Sequence, residues 1–245
     1  MKTNPHGQPI GAPVTGWQAP AFPTPRVLSG YGCRLEPLDW LHHGATLWPA
    51  LQSAGDALWT YLPIGAFDTA EALRSALAKL GASGDPQFYA IVDDTTGEAL
   101  GFASYLRIDP EAGSIEVGWL CYSPRLQRTA LATAAMYLLM RNAFALGYRR
   151  YEWKCDALNA PSRRAAERLG FRFEGIFRQA RVMKGRNRDT AWFSVIDGEW
   201  PALQAAFEQW LAPGNFDDEG RQRQALNKAG VPVEPAKCSA TTTVV

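Results

Sequence analysis

The sequence predicts a mixed α/β domain, a sheet with helices against it, and three observations carry that expectation. Apolar alternation of period two marks strands at 87–92, 99–108 and 114–122, with turn residues between the first pair. A long apolar helix at 129–146 follows, then a strand at 151–155 and a short helix at 161–169. Two further extended segments, 171–183 and 190–196, close the order as a hairpin. Antiparallel hairpin, strand, helix, strand, helix, hairpin is the order of a mixed sheet.

In chain order, residues 1–28 carry Pro5, Pro9, Pro13, Pro20, Pro23 and Pro25 and read as an extended arm, with Trp17 and Phe22 to dock it. The folded domain is expected over 29–212. It opens with a short strand at 32–38 and helices at 40–54 and 69–80, the second capped by Thr69 and stopped by Gly81. The turn Asp93-Asp94-Thr95-Thr96-Gly97 joins the first two sheet strands. In the strand 114–122, alternation places Ile115, Val117, Trp119 and Cys121 on one face and Glu116, Gly118, Leu120 and Tyr122 on the other. The helix 129–146 is apolar nearly all round, so it must be covered on more than one side. Gly147 and Gly170 end the two later helices, and 199–211 forms the last. Residues 213–245 turn polar and then low in complexity, and read as a flexible tail.

Composition excludes several classes. The chain has 245 residues, 47% hydrophobic and 20% charged, with a formal net charge of +1, which gives no electrostatic case for nucleic acid or an acidic membrane as partner. Local arginine clusters (Arg149, Arg150; Arg163, Arg164; Arg181, Arg186, Arg188) read mostly as solvated faces, with small anions such as phosphates as the other use. Cys33, Cys121, Cys155 and Cys238 show no CxxC spacing, and His6, His42 and His43 form no ligand cluster, the adjacent pair pointing in different directions. No metal is expected. The cysteines read as reduced filler, no secretory signal or membrane span is seen, and the location expected is the cytoplasm. A homodimer is compatible with all of this.

The chemistry-bearing segment is Ser123-Pro124-Arg125-Leu126-Gln127-Arg128-Thr129-Ala130-Leu131-Ala132, a strand end running into a helix N-terminus. Such a turn presents unpaired N–H groups and the positive end of the helix dipole, which suits a diphosphate. Each amide bond to a charged oxygen contributes roughly 1.5–3 kcal/mol. Small Ala130 and Ala132 permit close approach, and Arg125 and Arg128 add ionic contacts.

A second motif, Asn159 to Phe171 with its Leu169-Gly170-Phe171 ending, follows in order. With it the chain resembles the GNAT superfamily of acetyltransferases over about 30–200, and within it the RimJ/RimL type that acetylates ribosomal-protein N-termini. Gln127, Ala130 and Ala132 match the family's loop pattern, with alanine in place of both loop glycines. The resemblance implies a mostly antiparallel central sheet with a splayed central strand and flanking helices. It implies acetyl-CoA as co-substrate: the backbone of Leu120, Cys121 and Tyr122 beside the pantetheine arm, and the amides of Gln127, Arg128, Thr129, Ala130, Leu131 and Ala132 on the diphosphate. Asn159 would bond the pantetheine or position a water; a turn residue before Pro161 is its alternative.

The implied reaction is direct attack of a neutral amine on a thioester. An amine of pKa about 7.7–8 costs about 1 kcal/mol to deprotonate at pH 7, and a lysine near 10.4 about 4.6. A base and a proton donor are therefore useful. Glu116 is the base candidate, with an exposed strand glutamate as its alternative. The family's tyrosine acid is replaced by Ala166, so Ser162 is the donor candidate, with a helix-capping serine as its alternative. Trp119, Phe177, Arg178 and Trp192 are expected to border the amine pocket. The acceptor is a protein N-terminus or a small-molecule amine. Transfer of a longer acyl group, acyl-CoA binding without turnover, a cysteine acyl-enzyme and a Pro-arm scaffold are the competing readings.

Overall fold

The structure is a computed structural model that describes residues 2–226. The arm starts as a small ribbon, β1 (Lys2–Thr3) with β2 (Pro9–Ile10), and then runs extended into the domain. From Pro20 on it is tied to the domain. Pro20 and Pro23 are buried, Tyr148 Oη donates to Ala21 O at 3.2 Å, Gln87 Nε2 donates to Pro23 O at 2.7 Å, and Arg26 Nη2 meets Asn142 Oδ1 at 2.6 Å.

The domain strands are β3 (Leu28–Gly30), β4 (Cys33–Pro37), β5 (Gln87–Asp93), β6 (Ala99–Asp109), β7 (Ser114–Tyr122), β8 (Arg150–Asp156), β9 (Arg172–Met183) and β10 (Arg186–Ile196). They form one sheet in the order β3-β4-β5-β6-β7-β8-β10-β9. Only the β7–β8 pair is parallel. The expected mixed, mostly antiparallel sheet is what the chain builds.

Helices lie on both faces. On one side, α1 (Trp40–Gln52), a 3-10 turn at Asp56–Trp59 and α2 (Ala70–Gly81) close a core with Leu47, Leu51, Trp59, Leu73 and Phe102. On the other, α3 (Ala130–Ala145), α4 (Ala160–Arg168) and α5 (Trp200–Leu211) close the larger core with Ile115, Val117, Tyr151, Trp153 and Phe193. The caps follow the local chemistry: Thr69 accepts from Ala72 N and Thr129 from Ala132 N, each filling a donor that the first helical turn leaves open. From Ala132 to Met140 every residue of α3 is buried, as its all-round apolarity requires.

Four expectations need correction. Trp119 takes φ 51°, and two residues of β7, Trp119 and Leu120, face the single Ala103 of β6. This bulge reverses the alternation: Ile115, Val117, Leu120 and Tyr122 face the α3 core, while Trp119 and Cys121 face the α1–α2 core. β10 begins four residues earlier than expected, because Lys184 (φ 48°) and Gly185 (φ 72°) make a two-residue turn that carries the hairpin through its polar stretch. The strand β3 and the 3-10 turn were too short to show a period. Past 213 the chain still packs: Phe216 meets Trp210 edge-on at 5.1 Å, and Leu226 is buried. The rest of the segment read as a tail, 227–245, lies outside the described residues, and Cys238 with it.

His42 and His43 also differ from expectation. Both Nε2 atoms approach Glu36 Oε2, at 3.6 and 3.1 Å, and the rings meet edge-on at 4.8 Å. Glu36 Oε1 is already paired with Arg34 at 2.9 Å, so the carboxylate is neutralised within the fold.

Candidate active site

The site is built where β7 and β8 part. Their parallel register runs from Ser114↔Arg150 to Val117↔Trp153 and then stops, so Gly118–Tyr122 carries an edge that no strand covers. The bulge at Trp119 sits just past the parting point and turns this edge outward. The last carbonyl of the strand, on Tyr122, accepts from Gln127 Nε2 at 2.9 Å.

The turn after β7 spends some of its amides on itself. Gln127 N donates to Ser123 O at 3.1 Å, Thr129 N to Leu126 O at 3.4 Å, and Ala132 N to Thr129 Oγ1 at 3.1 Å. These three cannot serve a ligand without breaking the turn or the cap. Arg128, held at φ 63°, and then Ala130 and Leu131 have N–H groups with no hydrogen-bond partner among the described residues. The expected six-amide cradle is thus a three-amide cradle at the positive end of α3. Arg125 is paired with Glu98 at 2.5 Å on the surface, whereas Arg128 is exposed beside the open amides.

Asn159 caps α4, its Oδ1 accepting from Ser162 N at 3.1 Å. Ser162 is therefore not the cap. Its hydroxyl accepts from Trp153 Nε1 at 3.1 Å and lies against Cys155, on the α3 side of the sheet. Ala166, where the family's tyrosine would stand, is fully buried in the core.

Glu116 is on the opposite face and is 3% exposed, not an exposed strand residue. Its Oε2 is shared by Arg107 Nη1 at 2.5 Å and Lys154 Nζ at 2.8 Å. Lys154 also meets Glu152 Oε2 at 2.6 Å and stands 3.7 Å from the Trp192 ring centroid. Glu152 pairs with Arg150, which in turn grips Glu174 with two nitrogens. Burial pushes the Glu152 carboxyl up, but hydrogen bonds from Lys154 and Arg150 outweigh it and hold the group below its usual range. An open cleft of about 620 Å³ is lined by Arg107, Asp109, Glu111, Glu152, Lys154 and Trp192, among others. Phe177 stacks on Trp192 at 4.4 Å, so these two expected pocket residues do come together, while Trp119 instead packs against Phe88 in the α1–α2 core. Arg178 is exposed.

Burial raises the Cys121 and Cys155 thiols, the opposite of what a nucleophilic thiolate needs. Cys33 is pushed up to about 12, by burial and then by Asp93 and Asp94.

Residues 34–172 match the family of the Acetyltransferase (GNAT) domain. The chain belongs to the GNAT family. A solved GCN5-related N-acetyltransferase from Brucella melitensis is 46% identical, with a TM-score of 0.84 over 87% of this chain and 97% of that one. An uncharacterized N-acetyltransferase, p20, of Bacillus licheniformis is 27% identical over 49% of this chain and 68% of its own. The acetyl transferase of Salmonella typhimurium that modifies the N-terminal serine of a 50S ribosomal subunit protein is 22% identical, with a TM-score of 0.60 over 70% and 99%, a likeness of fold alone. In the GNAT family acetyl-CoA is the co-substrate. The three open amides and the uncovered edge of β7 fit its diphosphate and its amide-bearing arm.

The sequence reading missed Lys154, Arg107 and Glu152. Two of them could have been found, since Glu152 and Lys154 alternate toward Glu116 once β7 and β8 are known to be parallel neighbours. Among the described residues no helix is long and apolar enough to cross a membrane.

Proposed function

We propose that the chain transfers the acetyl group of acetyl-CoA to a primary amine by direct attack. The observation that carries this is the pairing of three unspent amides at the start of α3 with an uncovered strand edge on β7. The arm of the coenzyme would add to that edge as a strand does, and its diphosphate would sit on the amides of Arg128, Ala130 and Leu131. The thioester then lies in the gap between β7 and β8, open to Ser162 from one face and to the Glu116 cluster from the other. The amine enters on the Trp192 and Phe177 side.

In this reading Ser162 donates a proton to the departing thiolate. Ser162→Ala is expected to lower turnover about a hundredfold or more while acetyl-CoA affinity is kept, measured by thiol release and by calorimetry. A change confined to melting temperature would leave the hydroxyl as a partner of Trp153 alone. Glu116 acts either as base or as the structural counter-ion of Lys154 and Arg107. As a base, its Glu116→Gln deficit in kcat/KM grows as pH falls and free amine becomes scarce; as a structural counter-ion, any deficit is the same across pH 6–9. Lys154 and Arg107 compete for the oxygen a base would use, which favours the structural counter-ion.

The acceptor is a protein N-terminus, as in the RimJ/RimL type, or a small-molecule amine. An α-amine needs less help to lose its proton than a lysine does. Free, buried Cys33, Cys121 and Cys155 suit a reducing compartment, and the cytoplasm is the location proposed. A second reading, acyl-CoA binding without turnover, draws on the buried Ala166 in the tyrosine's place. Mixing the protein with acetyl-CoA and a panel of amines decides between them. Release of free thiol with an acetylated product supports transfer, while a shift in melting temperature with no thiol supports the binding module.

A further inference from the structure

Arg188 is a guanidinium that the fold has enclosed without giving it an anion. It is half-buried on β10, its Nε is buried with no hydrogen-bond partner, and its Nη1 meets the thioether Sδ of Met183 at 2.9 Å, a weak acceptor. Among the described residues no carboxylate comes within the 4.0 Å of an ion pair with it. Asp156, the acid opposite its neighbour Thr190, turns one oxygen to Leu158 N at 2.8 Å instead. Directly across the hairpin stands another arginine, Arg181.

The surroundings place this cation on the amine side. Thr190 and Trp192 share the face of β10 on which Trp192 covers Lys154 and stacks on Phe177, and Arg188, just past a register break in the hairpin, feels the charges of Asp156 and of Arg107, the Glu116 partner. The hairpin tip next to it reaches over the sheet, Lys184 Nζ donating to Trp59 O at 2.7 Å. The segment after Trp59 is held in turn by Tyr61 Oη on Leu158 O at 3.3 Å. Two bridges therefore tie the 59–61 segment to the hairpin tip and to the chain just past β8, with Arg188 and Arg181 paired on the hairpin beside them. Burial, opposed by Asp156 and reinforced by Arg181 and Arg107, holds the Arg188 guanidinium below its ordinary value. A planar fork of donors, half-buried, lacking an anionic partner and set beside a second cation, is complementary to a carboxylate or phosphate.

We infer that Arg188, with Arg181 beside it, receives an anionic group of the acceptor, so that the enzyme's preferred substrates are amines that also carry a carboxylate or a phosphate. This rests on the acetyl-transfer reading above and names the acceptor class for that same site.

The test uses the full chain with acetyl-CoA and matched acceptors. Glycine, γ-aminobutyrate, ε-aminocaproate and trialanine are each set against their carboxamides, and O-phosphoethanolamine against ethanolamine. For at least one spacing, kcat/KM is expected to be tenfold or more higher for the anionic member. Arg188→Gln should collapse that ratio toward one, chiefly through KM, with Arg188→Lys keeping part of it. Arg181→Gln is the second variant should Arg188→Gln fail to fold. A carboxylate and a phosphate source are told apart by which pair shows the preference. Equal use of both members of every pair, or a preference that survives both substitutions, overturns the inference while acetyl transfer stands. If no acceptor turns over, calorimetry on the CoA-loaded protein still reads it: binding of anionic members alone supports the anion site, and binding of both members alike or of neither overturns it. Failure of the coenzyme itself to bind would instead remove the reading on which this one rests.

Discussion

Ala130→Asp is expected to weaken acetyl-CoA binding by two orders of magnitude or more and to leave the fold intact. Ala130 is the first residue of α3 and its N–H is one of the three open donors. A carboxylate there would face the diphosphate. Two unit charges about 4 Å apart repel by about 4 kcal/mol at the effective dielectric of a protein surface, close to a thousandfold in affinity. Solvent exposure and nearby Arg128 reduce this, hence the smaller expected loss. The same acid sits well at a helix N-terminus, worth about 0.3–1 kcal/mol, so the melting temperature should hold or rise. Titration calorimetry beside a thermal melt checks both halves. Unchanged affinity would take the turn out of the site.

Lys154→Met is expected to cost about 3–5 kcal/mol of stability, the range for breaking a buried ion pair from one side. The side chain is 8% exposed, lies between Glu116 and Glu152, and these two acids are cross-strand partners on β7 and β8. Methionine keeps the stem but leaves two carboxylates facing each other. The pH dependence follows from Glu152, whose folded carboxyl lies below its usual range. A depressed carboxyl contributes stability above its unfolded pKa near 4.3 and loses it as pH falls through the folded value. The variant lacks most of that contribution, and acid relieves its facing charges. The gap in melting temperature between wild type and variant should therefore narrow from pH 7 to pH 4. A gap that stays constant would assign the loss to packing against Trp192.

Much of the site was legible because its signals are local. Thr69 reads as a cap from its place before an apolar run and does cap α2, while Thr129, read as the first residue of its helix, proves to be the cap of α3. The strand-turn-helix passage through Ser123 to Ala132 announces open amides by its position alone. How many remain open was not legible, since the hydroxyl of Thr129 and the carbonyls of Ser123 and Leu126 claim three of them. The cap offered as the alternative role of Ser162 belongs to Asn159 instead: both are good caps by type, and Asn159 lies three residues ahead of the N–H it accepts.

Sequence by itself determined every strand of the sheet but β3, the order of those elements and the turn at the head of α3, because periodicity and capping act over a few neighbouring residues. The tertiary structure alone decided that β7 bulges at Trp119, that Glu116 is clamped between Lys154 and Arg107, and that Arg188 is walled in without an anion. Those outcomes depend on which strands become neighbours. Charge and burial at a residue are properties of the space around it, and that space is filled by chain far away in sequence.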